Sequence, residues 1–348
     1  MVAFNINKMV RVNIQNLKPY SSARDEYKPI AEDMVFLDAN ENPFENGINR
    51  YPDPQQKRIK TQLSKCKGVD VDQILLGNGS DEVLDLIFRA FCEPNQDSII
   101  TLPPTYGMYE VLANINAIDI IKVELRSDFE LKIDEILNAV NTHTKLLFLC
   151  SPNNPTANSF KAKNIEHLVS NFKGIVIIDE AYIDFSIEES WLDRIHDFPN
   201  LIVTQTLSKA YGMAGIRLGI CYASKTIISI LNKIKAPYNV NGLTQQKGLE
   251  RLLNIDGVSE EIQKILQQRD WLNSELKTVS FVEKIFPSDA NFILVKVDDA
   301  NRRYSELLAR GIVVRNRTAL PLCENCLRFT VGSQIENIKL ITTLKTLE

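Results

Sequence analysis

Histidine is scarce: His143, His167 and His196 are the only three in 348 residues, and none sits in a glycine-rich or acid-rich setting. That argues against an imidazole base and against a histidine metal triad, so proton transfer must fall to other side chains. Cysteines are few and scattered, at 66, 92, 150, 221, 323 and 326, mostly inside apolar segments as reduced, buried thiols would be. Only Cys323 and Cys326 form a C-x-x-C pair, and no second pair or nearby histidine completes a zinc site. No metal is expected. Charge of one sign is also missing: the net charge is -4 with basic residues dispersed, so no field is available to hold a nucleic-acid backbone. No apolar run approaches a membrane span, and Asn, Lys and Arg interrupt the N-terminal segment where a signal peptide would be apolar. A cytoplasmic protein without nucleic-acid or membrane partners is expected.

What is present is enough apolar residue, 44% of the chain, to bury a large core with a second lobe attached. Short apolar runs read as buried parallel strands at Ser98 to Leu102, Lys145 to Cys150, Gly174 to Ile178, Leu201 to Thr204 and Leu218 to Tyr222. Helical patterns alternate with them, clearest from Asp81, where Val83, Leu84, Ile87, Phe88 and Phe91 share a face, and from Lys161 to Phe172. The alternation predicts an α/β domain over residues 36–238. From residue 239 the pattern changes to a long helix reaching Val279, a strand at Phe292 to Val297, a helix at Arg302 to Arg310, strands at 312–315 and 327–331 and a last helix, an α+β lobe over 239–348. Residues 1–35, with Pro19 and Pro29, read as an arm outside the main sheet.

In an open parallel sheet, ligands sit where loops converge at the carboxyl ends of the strands. Lys209 lies just beyond Leu201-Ile202-Val203 in a turn of small residues, Thr206-Leu207-Ser208-Lys209-Ala210-Tyr211-Gly212, followed by Arg217. An amine flanked by anion-binding groups suits capture of a phosphorylated aldehyde, and pyridoxal 5'-phosphate is the obvious candidate. A single lysine in a polar loop is more often a plain surface residue, so the rest of the chain decides. Asp179 ends the run Gly174 to Ile178, where it can keep a pyridine ring nitrogen protonated; alone it could equally cap the next element. Tyr182 and Asn154 can donate to the ring oxygen. Gly77-Asn78-Gly79-Ser80-Asp81-Glu82 precedes a helix whose free N-H groups make an anion site, which Ser208 and Arg217 can complete. A dinucleotide fingerprint would need glycine where Glu82 stands, and no Walker lysine is present.

These residues resemble the fold type I pyridoxal phosphate aminotransferases, and among them the histidinol-phosphate aminotransferases. The ordered set includes Asn16-Leu17-Lys18-Pro19-Tyr20, Leu37-Asp38-Ala39-Asn40-Glu41-Asn42-Pro43, Arg50-Tyr51-Pro52-Asp53, Pro103-Pro104-Thr105-Tyr106-Gly107-Met108-Tyr109, Ser151-Pro152-Asn153-Asn154-Pro155-Thr156 and Leu327-Arg328-Phe329-Thr330-Val331-Gly332. The resemblance implies a large domain with a mostly parallel mixed sheet sandwiched by helices, a smaller α+β domain, and an arm packing with the small domain and a partner subunit. It implies that Lys209 is both tether and base, Tyr106 stacks on the ring, Asp179 pairs with its nitrogen, and Asn154 and Tyr182 address its oxygen. Ser80, Asp81, Ser208 and Arg217 would hold the cofactor phosphate, and Tyr51 would reach the phosphate of a neighbouring subunit in a homodimer with shared active sites. Arg328 would take the substrate carboxylate, and Tyr20 and Arg315 the substrate phosphate, with Arg317 close enough to compete for that role. The implied reaction moves an amino group between glutamate and imidazole-acetol phosphate, giving histidinol phosphate and 2-oxoglutarate in histidine biosynthesis. A broad aromatic aminotransferase or a phospho-amino-acid decarboxylase is the alternative. One departure stands out: Ala157 occupies a place where the family usually has glycine, at a cost of about 1 kcal/mol if the turn needs a positive φ.

Overall fold

The computed structural model describes residues 4–20 and 34–347. Seven strands form the larger sheet: β1 (Ile74–Asn78), β2 (Ser98–Thr101), β3 (Asp119–Lys122), β4 (Thr144–Cys150), β5 (Ile175–Asp179), β6 (Leu201–Thr206) and β7 (Leu218–Ala223), in the order β1-β7-β6-β5-β4-β2-β3. Alternate residues point to opposite faces, and both faces are covered. Leu147, Leu149, Val176, Ile178 and Val203 enter one apolar cluster, while Leu146, Phe148, Ile175, Ile177 and Ile202 enter the other. The second cluster is closed by the helix Ser80–Phe91, whose Val83, Leu84, Ile87, Phe88 and Phe91 are all fully buried. Each contributes roughly 1.5–3 kcal/mol of apolar burial.

Two corrections concern direction and length. The run at Leu218 reads as another parallel strand, yet β7 pairs antiparallel with both β6 and β1. The link from Thr206 to Leu218 holds turns and one short 3-10 helix, Ala214–Ile216, too little for the crossover that a parallel neighbour requires. The single long helix expected after residue 239 is two, Gly242–Leu253 and Ile255–Leu276, because Asn254 ends the first and its side chain caps the second by accepting from the Gly257 N-H.

The smaller sheet has β8 (Val282–Ile285), β9 (Phe292–Val297), β10 (Arg315–Asn316) and β11 (Cys326–Thr330), antiparallel in the order β10-β11-β9-β8. Its faces diverge in partner. Ile293, Val295, Val297, Leu327 and Phe329 seal a core with the C-terminal helix Gln334–Lys345, whereas Phe292, Leu294 and Cys326 join a cluster of the larger sheet.

Where it is described, the arm rests on the larger domain. Val10 and Ile14 are buried with Leu84, Phe91, Ile227 and Leu231, and Arg11 pairs with Glu93 at 3.1 Å. Residues 4–17 therefore lie on helices of the larger sheet, because that is where two apolar residues one turn apart and an arginine find complementary groups. Residues 21–33, including Pro29, lie outside the described residues.

Candidate active site

Strands β1, β4, β5 and β6 all point their carboxyl ends to one edge, and β7, running the other way, starts there. That reversal brings Arg217, the residue before β7, beside the start of the helix Ser80–Phe91. A parallel β7 would have placed it at the far edge. The two backbones approach closely: the Gly79 N-H donates to the Arg217 carbonyl at 2.8 Å, and a Cβ at Gly219 would stand 2.3 Å from the Ser80 nitrogen. Gly79 has φ +83°, and a Cβ on it would meet the Arg217 guanidinium at 2.6 Å. Arg217 itself has φ +53°, a left-handed conformation that costs about 1–2 kcal/mol outside glycine and that persists at sites where surrounding structure enforces it.

One crevice is lined by Ser80, Asp81, Tyr106, Cys150, Asn154, Asp179, Ala181, Tyr182, Thr206, Ser208, Lys209 and Arg217. At its phosphate-like end the free N-H groups of the helix start meet Ser208 and Arg217; the latter is 3.6 Å from Asp81, whose other oxygen accepts from the Tyr106 hydroxyl at 3.1 Å. Thr206 accepts from the Ser208 N-H and donates to its hydroxyl oxygen, fixing the turn before Lys209. Burial, then the positive charges of Arg328 and Arg217, hold the Lys209 ammonium below the ordinary lysine range. Lys209 Nζ is 5.8 Å from the Tyr182 ring centre.

Asp179 is buried at the end of β5, and burial pushes its carboxyl above the usual range. It accepts from the Tyr109 hydroxyl at 2.7 Å and from the Ala181 N-H at 3.2 Å. Tyr109 is fully buried, stacked on Phe148 at 4.7 Å and edge-on to Tyr106 at 5.5 Å, so its oxygen is fixed. Sequence reasoning quoted Tyr109 in a motif but gave it no role; its place one helical turn after Tyr106 was the available signal. Thr206, Cys150 and Ala181 were also missed, being strand-end or small residues that no motif distinguishes from core.

Above the crevice, Arg328 on β11 donates to the Asn154 side-chain oxygen and lies over the Phe292 ring at 4.9 Å. Burial and Arg317 push the Arg328 guanidinium down to about 10. Ala157 adopts φ +68° and is fully buried. The loop thus takes the left-handed conformation without glycine, and the Asn154 contact is kept.

Three predicted residues lie apart from this crevice. Tyr51 is half-exposed, stacked on Tyr238 at 4.4 Å, and lines a separate pocket with Asn49, Arg50 and Asn241. Tyr20 is exposed, and Arg315 is exposed on β10 directly across from Arg328.

Glu180, next to Asp179, is buried and accepts from Ser190, the Trp191 N-H and Gln205, yet burial pushes its carboxyl up to about 7. A carboxyl raised on folding contributes stability that is complete below its unfolded value and lost as pH rises through the folded one, here between about 4.5 and 7. Chemical denaturation should therefore show stability falling over that window by up to about 3 kcal/mol, and Glu180→Gln should flatten the profile. An unchanged slope in the variant would refute it.

Residues 35–344 match the family model for aminotransferase class I and II. The histidinol-phosphate aminotransferase of Flavobacterium johnsoniae is 62% identical over 348 residues, covering 100% of both chains. Among solved structures, the histidinol-phosphate aminotransferase of Clostridium acetobutylicum superposes with a TM-score of 0.80 at 23% identity, covering 86% of this chain and 91% of its own. That of Sinorhizobium meliloti, solved in complex with pyridoxal-5'-phosphate, gives 0.79 at 22% identity, covering 86% and 84%. At these identities the structures speak to the fold alone. No helix among the described residues is long and apolar enough to cross a membrane. With its length matched almost throughout, the chain belongs to the class I and II aminotransferases.

Proposed function

We propose that this protein transfers an amino group between histidinol phosphate and 2-oxoglutarate, through pyridoxal 5'-phosphate, in histidine biosynthesis. The observation that carries it is the convergence in one crevice of a lysine whose ammonium is held below the ordinary lysine range, a buried carboxylate and a helix-start anion cradle, roofed by an arginine. The cradle fits a phosphate: no side chain caps the helix start, a Cβ at Gly79 would run into the Arg217 guanidinium, and the close backbone approach leaves no room for one at Gly219. When bound, the cofactor supplies an electron sink for the substrate carbon. Ser80, Asp81, Ser208 and Arg217 hold its phosphate end, Asp179 keeps its ring nitrogen protonated, Tyr106 packs on the ring, and Asn154 and Tyr182 address its oxygen. Lys209 Nζ tethers it and then takes the proton from the substrate's alpha carbon. Arg328 receives the glutamate carboxylate as a two-pronged donor, with Asn154 fixing one prong.

The reading extends to a homodimer in which Tyr51, turned away from its own crevice, serves the partner's cofactor phosphate. It places Tyr20 and Arg315 at the substrate phosphate. It divides the chain into an arm (1–35), a cofactor-binding domain (36–238) and a small domain (239–348), in a cytoplasmic protein.

A half-reaction with glutamate alone is the test. The purified protein should release 2-oxoglutarate stoichiometrically with conversion of the cofactor to its amine form, and histidinol phosphate alone should bring about the same conversion with release of imidazole-acetol phosphate. Carbon dioxide release from a phosphorylated amino acid, without 2-oxoglutarate, would instead establish the decarboxylase. Broad activity on aromatic amino acids with none on histidinol phosphate would establish the other alternative.

A further inference from the structure

Ala157 is fully buried at φ +68°, a conformation that costs alanine more than glycine and that lasts only where neighbours enforce it. Those neighbours come from both lobes. On the side of the larger sheet, the Asn153 amide donates to the Pro104 carbonyl at 2.8 Å and to the Thr156 hydroxyl at 2.7 Å, and the Ala157 N-H donates to the Asn153 carbonyl at 2.7 Å. From the smaller lobe comes Asp289, in the link between β8 and β9. Its N-H donates to the Ala157 carbonyl at 2.8 Å, and its Oδ2 accepts from the Ser159 N-H at 2.9 Å.

The link is docked by groups other than that carboxylate. Phe286 packs on Phe129 at 5.0 Å, and Arg269 donates to the carbonyls of Phe185 and Ala290 at 3.2 and 3.0 Å. Asp289 thus presents its oxygen from a fixed place. The loop it grips also carries Asn154, whose side-chain oxygen accepts from Arg328. Arg328 lies on β11, directly across from Leu294 of β9, the strand that starts just after Asp289. Both ties to the loop therefore spring from one pair of hydrogen-bonded strands, and together they fix how Asn154 faces Arg328.

We propose that Asp289 is a positioning residue: it holds the Ala157 turn in its left-handed form and so sets Asn154 against Arg328 and against the cofactor's ring oxygen. This rests on the reading in which Arg328 takes the glutamate carboxylate and Asn154 addresses that oxygen.

Asp289→Ala keeps the backbone bond to Ala157 and removes only the one from Ser159. In the cofactor-free protein, amide hydrogen exchange followed by mass spectrometry should quicken over residues 153–159 and stay unchanged in the larger sheet. With cofactor bound, KM for glutamate should rise about tenfold while kcat falls less than about threefold. The pH midpoint of the cofactor's visible absorbance should move up, because a ring oxygen short of a donor carries negative charge less readily. Asp289→Asn keeps an acceptor oxygen and should recover most of the loss. Ala157→Gly, added to Asp289→Ala, lifts the need for enforcement and should recover about fivefold of the KM. A merely structural role would leave the absorbance midpoint in place and gain nothing from Ala157→Gly, and either result overturns the proposal, as does an unaltered KM in Asp289→Ala. Should Asp289→Ala not fold, Asp289→Glu, which displaces the acceptor by one methylene, is expected to show the same pattern. If the unaltered protein gives no amine form of the cofactor with glutamate, the functional reading falls first and takes this role with it, a failure visible before any substitution is made.

Discussion

Lys209→Ala is expected to reduce transamination of histidinol phosphate by at least about 10⁴-fold while leaving pyridoxal 5'-phosphate able to bind. The substitution removes one amine and leaves the Ser80–Arg217 cradle, Asp179 and the Tyr106 ring in place, since none of them depends on Lys209 for its position. Equilibrium dialysis should show retained cofactor, and a small added amine such as methylamine should restore part of the turnover. Borohydride reduction and peptide mapping should find the adduct at residue 209 in the unaltered protein and nowhere in the variant. The pH dependence follows from the direction of the shift. Only the neutral amine attacks an aldehyde, and because burial, Arg328 and Arg217 lower the Lys209 value from 10.5, trapping should rise with pH over a range below that of an exposed lysine. A variant keeping more than about a hundredth of the activity, or an adduct at another lysine, would remove Lys209 from the chemistry.

Most of the crevice could be read from the sequence because its residues follow strands whose apolar runs are continuous. Asp179, Asn154 and Lys209 each sit just beyond such a run, and the carboxyl-end rule for open sheets then places them together. What could not be read has physical reasons. Strand Asp119–Lys122 is at the sheet's edge, half-exposed and polar at both ends, so it carries no run. Direction is invisible in a buried strand, since parallel and antiparallel neighbours bury the same side chains; β7 could not be told from β6 by composition. Arg315 and Arg317 are two residues apart, one in β10 and one just beyond it, and burial, which no motif reveals, is what separates them. Tyr109 looks like a core aromatic because it is one; its hydroxyl matters only through Asp179, seventy residues away.

Asp179→Asn is expected to lower turnover roughly 10³-fold and, at neutral pH, to stabilise the protein freed of its cofactor. Both effects have one cause. The Asp179 carboxylate is buried beside Tyr109 with two donors, and burial raises its pKa, so the ionised form is disfavoured until a positive group arrives. A carboxyl raised on folding adds stability below its unfolded value and loses it as pH rises through the folded one; the cofactor-free protein is therefore penalised at neutral pH. A protonated ring nitrogen relieves that penalty. Asparagine keeps the shape and can still accept from Tyr109, but it has no charge with which to hold the proton on the ring. Thermal denaturation should accordingly show a larger gain on adding pyridoxal 5'-phosphate for the unaltered protein than for Asp179→Asn, and the two cofactor-free proteins should rank in the opposite order. Tyr109→Phe, which removes one donor but leaves the charge, should fall between them, at about tenfold loss of activity. Full activity in Asp179→Asn, or a cofactor-free variant less stable than the unaltered protein across pH 6 to 8, would show that the buried carboxylate serves the sheet rather than the ring.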